Sequence, residues 1–181
     1  GGVPASGGDR RLLPALMENL AMRSTAVFAL GAVALPGAAS AATVNVTIPR
    51  LNVAEYHRPY VAVWLEPATG GAARTLAIWY DVKKTGGEPG TKWLADLRAW
   101  WRKGGRSMAM PANGISGATR APGIHAVPLP ADVKPGQYVL NVEAARETGG
   151  RELVQVPLTI PNPQARGAGG HELGAVTVSA R

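Results

Sequence analysis

The sequence predicts a mostly β protein, an immunoglobulin-like antiparallel β-sandwich carrying one inserted amphipathic helix. Three observations carry that expectation. Short runs of alternating or β-branched residues recur along the chain, turn residues separate them, and 23 Gly and 15 Pro among 181 residues argue against a helical bundle. A chain of this length that is 46% hydrophobic can bury one proper core but not two comfortable ones.

The strands follow in order. Val44, Val46 and Ile48 alternate with Thr43, Asn45 and Thr47, and Pro49 closes this first run. Two β-rich runs, 60–66 and 74–81, flank a turn at 67–71 that ends in Gly70 and Gly71, which reads as a hairpin. The runs 137–145 and 152–160 repeat that arrangement around Thr148, Gly149 and Gly150, and the turn at Pro135 and Gly136 leads into the first of them. Pro157 cannot donate to a ladder, so its run belongs at a sheet edge. A last alternating run spans 172–178 after a Gly-rich loop at 167–170. Six or seven short strands of this kind fit two packed antiparallel sheets.

One segment departs from the β pattern. Trp93, Leu97, Trp100 and Trp101 stand at i, i+4, i+7 and i+8, which predicts an amphipathic helix over 91–103 with Thr91 as N-cap and Gly104–Gly105 as its stop. Its tryptophan stripe is expected to anchor the helix on the sandwich, burying Trp93, Leu97 and one of Trp100 or Trp101.

Residues 22–41 have a different character. A basic start at Arg23, a short apolar centre from Ala26 to Ala38 and an Ala39-Ser-Ala41 site form a signal-peptide pattern, with cleavage expected after Ala41. Residues 1–21 show no coherent periodicity and read as an unstructured upstream extension. The single β domain is therefore expected over 42–181, exported and not itself membrane-spanning after cleavage.

Composition excludes several chemistries. The chain has no cysteine, which rules out thiol catalysis, disulfides and thiolate metal sites, and its three histidines contain no i, i+4 pair. No metal site is expected. The formal charge of +7 is concentrated between Lys83 and Arg120, where eight basic residues stand against two acids. This basic insert suits phosphate or an acidic partner. Nucleic acid is not the expected partner, because an exported protein rarely meets it.

Directly after the insert lies a loop, 113–120, with two glycines and the hydroxyls of Ser116 and Thr119. No acid or histidine stands beside these hydroxyls to activate them, so a Ser hydrolase would need Ser116 to meet a distant His125 or His57 and Asp132. No catalytic residue is assigned. Ser116, Gly117, Ala118 and Thr119 resemble the acceptor motif of covalently flavinylated extracytosolic proteins, Asp-x-x-(Ser/Thr)-Gly-Ala-(Ser/Thr). That resemblance implies a flavin transferase that uses FAD and a divalent metal to place FMN on Thr119 through a phosphodiester. Asn113 stands where the motif has Asp. In this picture Arg120 offsets the phosphodiester charge, and Trp100 or Trp101 stacks on the flavin ring.

The wider chain is similar to the predicted periplasmic family called domain of unknown function 2271. The residues that carry the likeness are 58–64, 74–76, Leu94, Leu97, Arg98, Trp100, Trp101, 116–120, 136–138, 142–147 and 172–174. The family likeness implies companions of the PepSY-type membrane reductases and flavin transferases, hence an electron-transfer protein with covalent FMN rather than a free-standing enzyme. The competing expectation is a non-redox extracytosolic adaptor or binding module whose 116–119 loop is an ordinary turn.

Overall fold

A computed structural model describes Gly2 and residues 42–83 and 88–180. The segments read as a signal peptide, 22–41, and as an upstream extension, 1–21, therefore lie outside the described residues, apart from Gly2. Nine strands are present among those residues: β1 (Ala42–Ile48), β2 (Tyr60–Pro67), β3 (Arg74–Trp79), β4 (Ser116–Gly117), β5 (Gly123–Leu129), β6 (Gly136–Ala145), β7 (Arg151–Ile160), β8 (Ala165–Ala168) and β9 (Ala175–Ala180). They form two sheets, ordered β5-β1-β9-β8 and β4-β3-β2-β6-β7. The mostly β sandwich is as expected. So are both hairpins, β2 with β3 and β6 with β7, and the edge position of the Pro157-bearing β7.

Period-two alternation explains the core. Val44, Val46 and Ile48 of β1 face Val61, Val63 and Leu65 of β2 and Leu140, Val142 and Ala144 of β6 in one cluster between the sheets. The opposite face of the five-stranded sheet is also apolar. Ala62, Trp64, Ile78 and Tyr80 form a second cluster with Leu94, Leu97 and Trp100 of the insert. β2 and β3 are thus covered on both faces, which is why their sequences read as nearly unbroken apolar runs rather than strict alternations.

The insert is the main correction to the expected elements. A 3-10 segment, Gly90–Asp96, is followed by a break at Leu97 (ψ 69°) and a short helix, α1 (Arg98–Arg102). Leu94, Leu97 and Trp100 are all buried, one each from the 3-10 segment, the break and α1, so the apolar stripe is not the face of one continuous helix. Trp93 falls off that stripe and is 49% exposed. Thr91 makes no cap. Pro89 occupies that position with no side-chain hydrogen bond, while Gly104, at φ 133°, follows the end of α1 as expected.

The cap comes from across the sheet. Glu143 of β6, fully buried, accepts the N–H groups of Ala99 (3.1 Å) and Trp100 (2.9 Å) and pairs with Arg151 at 2.7 Å. These first N–H groups of a helix have no partner within it, so a carboxylate from the strand both fixes where α1 starts and ties it to the sheet. The Trp100 indole N–H donates to Thr75 Oγ1 at 2.9 Å, closing the same joint.

The last expected strand also shifts. Its ladder covers 175–180 rather than 172–178, because Glu172 turns inward and the Gly174 N–H is taken by Thr47 O. Strands β4, β5 and β8 were not legible as runs.

Candidate functional site

The 113–120 loop is built outward from β3. β4 lies parallel to the end of β3, with Ile78 N–H donating to Ile115 O at 2.9 Å and Tyr80 N–H to Gly117 O at 3.0 Å. Before it the chain closes on itself: Ser116 N–H donates to Ala112 O, and Ala112 N–H donates to Ser116 Oγ at 2.9 Å. The Ser116 hydroxyl thus holds the turn together. Gly117 packs on the Trp79 ring, and a Cβ there would lie 3.4 Å from it. Ala118 and Asn113 are exposed, and Thr119 is half-buried. Arg120 lays its guanidinium 5.4 Å from the Trp79 ring centroid, a cation–π contact that points it at β3.

Thr119 lines an open cleft of about 830 Å³. That volume falls within the roughly 300–1,000 Å³ of small-molecule sites. Its other walls come from separate parts of the chain: Tyr56 and Arg58 before β2, Tyr60 at the start of β2, Trp93 of the 3-10 segment, and Arg146 and Glu147 at the β6–β7 turn.

Two carboxylates brace the last of these walls. Glu172 accepts from Arg146 Nε (2.9 Å) and Nη2 (3.1 Å) and from the Gly150 N–H (2.9 Å), a buried bidentate pair that fixes the hairpin turn. The hydrogen bonds to Glu172 push the Arg146 pKa further up. Glu152 in turn accepts the N–H groups of Gly170, His171 and Leu173 at 2.7, 3.1 and 2.8 Å. Burial raises its pKa, but those backbone donors outweigh it and leave the carboxyl below its ordinary value. Hairpin and loop thereby hold each other.

The aromatic wall is partly satisfied. Tyr60 Oη donates to Gly90 O at 3.2 Å and its ring meets Tyr80 edge-on. Trp93 has the Lys92 ammonium 5.1 Å from its centroid. Tyr56 Oη is buried with no hydrogen-bond partner among the described residues. Burial also pushes the Tyr56 pKa up, against the pull of nearby Arg146, so the group remains an O–H.

Several expected site residues are placed elsewhere. Trp100 is 1% exposed within the second core cluster, and half-buried Trp101 packs beside it at 6.3 Å. Neither lines the cleft; Trp93 does. The basic insert does not face Thr119 either. Lys92 pairs with Glu88, Lys103 with Glu66, and among the described residues the cleft is lined by the cations Arg58 and Arg146, with His57, opposed by Asp81, Glu88, Asp96 and Glu147. Lys84 lies outside the described residues. The distant hydrolase grouping is not assembled. His125 Nε2 meets Ala121 O at 2.7 Å, His57 sits between Glu55 and Glu147, and Asp132 pairs with Arg74.

Sequence reasoning missed Tyr56, Tyr60 and Trp93 as cleft walls and Glu143 as the anchor of α1. The available signals were an Arg-Pro-Tyr triplet leading into a strand, and acidic Glu143 within an otherwise apolar one. Among the described residues no helix is long and apolar enough to cross a membrane. A family model described as "Predicted periplasmic protein (DUF2271)" matches residues 41–175. No curated protein and no solved structure matches.

Proposed function

Because this chain belongs to the DUF2271 family of predicted periplasmic proteins, we propose that it is an exported redox carrier that holds FMN covalently at Thr119 and works with a PepSY-type membrane reductase. The observation that carries the reading is the position of Thr119: half-buried, on a loop whose preceding Ala118 is exposed, and opening on a cleft large enough for a flavin. A hydroxyl in that position can enter the active site of a modifying enzyme and afterwards leave its adduct lying in the cleft.

The attachment balances as a group transfer. Thr119 Oγ1 forms a bond to the FMN phosphorus of FAD, the pyrophosphate P–O bond breaks, AMP leaves, and the hydroxyl proton passes to a base of the transferase. Once bound, FMN supplies the electron-transfer chemistry. The chain's own residues do the rest. Ser116 and Gly117 hold the loop against β3, Arg58 is the exposed cation of the cleft that suits a phosphodiester, and the Arg146–Glu172 brace keeps the opposite wall in place. Arg120, stacked on Trp79, stiffens the exit of the loop.

Protein exported together with a flavin transferase should carry the visible absorbance bands of flavin through denaturing purification. Colourless protein under conditions that label a known acceptor leaves the adaptor reading.

A further inference from the structure

We propose that the same cleft has a flavin-ring site of its own, with Trp93 as the stacking surface and the Tyr56 hydroxyl as a donor to a polar atom of the ring edge, and that it binds free FMN reversibly before any bond to Thr119 exists. The inference rests on the flavin reading of the cleft and deepens it. Three observations lead to it.

First, Trp93 is a large aromatic residue left 49% exposed on the wall of a cleft, next to a segment whose other large side chains, Leu94, Leu97 and Trp100, are buried. Trp93 lies on the 3-10 segment, off the line of those three residues, and stays outside the core. An exposed indole on a concave wall offers a flat apolar surface to a planar ligand. The Lys92 ammonium lies 5.1 Å from the centroid of this ring and pairs with Glu88, another lining residue.

Second, Tyr56 lines the same cleft, and its Oη is buried without a hydrogen-bond partner among the described residues. A buried hydroxyl left unpaired is costly, and a ligand acceptor placed against it recovers that cost on binding. The neighbouring Arg146 holds Glu172 through Nε and Nη2, which fixes the wall beside that hydroxyl.

Third, Arg58 lines the cleft and makes no ion pair among the described residues, whereas Arg146 does. An unengaged guanidinium in the same cleft as a stacking ring suits a ligand that is planar at one end and phosphorylated at the other. An isoalloxazine carrying a ribityl phosphate has that shape and charge.

The test uses the unmodified full domain and free FMN or riboflavin, with no transferase present. Wild type should quench the fluorescence of free FMN in a saturable titration and bind riboflavin more weakly. Trp93→Ala should weaken FMN binding on the order of tenfold or more, and Trp93→Phe should recover most of it, because a stacking surface is restored. Tyr56→Phe should weaken it about threefold to tenfold without lowering the melting temperature, since only an unpaired hydroxyl is removed. Arg58→Ala should erase the preference for FMN over riboflavin. Absence of saturable quenching by wild type, or equal affinities in wild type, Trp93→Ala and Tyr56→Phe, overturns the ring site. The two readings fail separately. A quenching protein whose Thr119 is never labelled loses the covalent carrier and keeps the ring site, while a labelled protein that does not quench free FMN loses only the ring site.

Discussion

Replacing Glu143 by Gln should undock the insert from the sandwich. Glu143 is fully buried and accepts three hydrogen bonds, from Ala99 N–H (3.1 Å), Trp100 N–H (2.9 Å) and Arg151 Nη1 (2.7 Å). A glutamine keeps one oxygen, which can serve Ala99 and Arg151, but its amide NH₂ then confronts the Trp100 N–H. One charge-assisted bond is lost and a buried backbone donor is left unpaired, while the Arg151 head group, 40% exposed, recovers much of its solvation. The net cost is about 2–4 kcal/mol, near that of one charged hydrogen bond plus part of a desolvation penalty. For a domain of this size that lowers the melting temperature by roughly 6–12 °C. Thermal unfolding followed by far-UV circular dichroism gives the shift, and near-UV circular dichroism reports the loss of the Trp100 environment. A variant melting within about 2 °C of wild type, with its tryptophan signal intact, would refute the anchoring role.

The tryptophans should separate sharply in the same assay. Trp100→Ala, at a site 1% exposed, should cost about 3–5 kcal/mol, whereas Trp93→Ala, at one 49% exposed, should cost less than about 1 kcal/mol; equal costs would contradict the placement of Trp100 in the core and Trp93 outside it. The Glu152 carboxyl, held below its ordinary pKa by three backbone donors, adds stability that is present above the unfolded glutamate value of about 4.3 and is lost as pH falls through the lower folded value. Melting curves of wild type and Glu152→Gln should therefore lie apart at neutral pH and draw together as pH falls below the ordinary glutamate range, and a gap that does not vary with pH would remove the charge from that account.

What was legible in the sequence was local. β1, the two hairpins and the edge placement of β7 followed from period-two alternation, turn glycines and one proline, all read within a few residues of each other. β5 was missed because Gly123, Ile124, Ala126 and Pro128 leave little contrast between its faces, and its pairing partner β1 lies some 80 residues away in the chain. The helix was expected at a period of 3.6 because tryptophans happen to stand at those spacings; Glu143, more than forty residues later, takes the N–H groups that a continuous helix would use and splits it. Thr119 was named from the short resemblance of its loop. The cleft around it was not, because its walls come from four separated segments whose meeting depends on the fold. The residues that carry the family likeness divide accordingly. Glu143, Arg146 and Glu172 brace the structure, and Arg58 and Tyr60 line the cleft.

The central claim is that Thr119 accepts FMN, and mass spectrometry of the protein exported with a flavin transferase tests it most directly. The peptide containing Thr119 should be heavier by one FMN less one water. Thr119→Ala should abolish the adduct with the fold intact, and Thr119→Ser should retain part of it, since the reaction requires a hydroxyl. Asn113→Asp, at an exposed loop position, should raise the yield by restoring the carboxylate of the motif. An unmodified Thr119 peptide from wild type, obtained while a known acceptor in the same cells is fully labelled, would contradict the account.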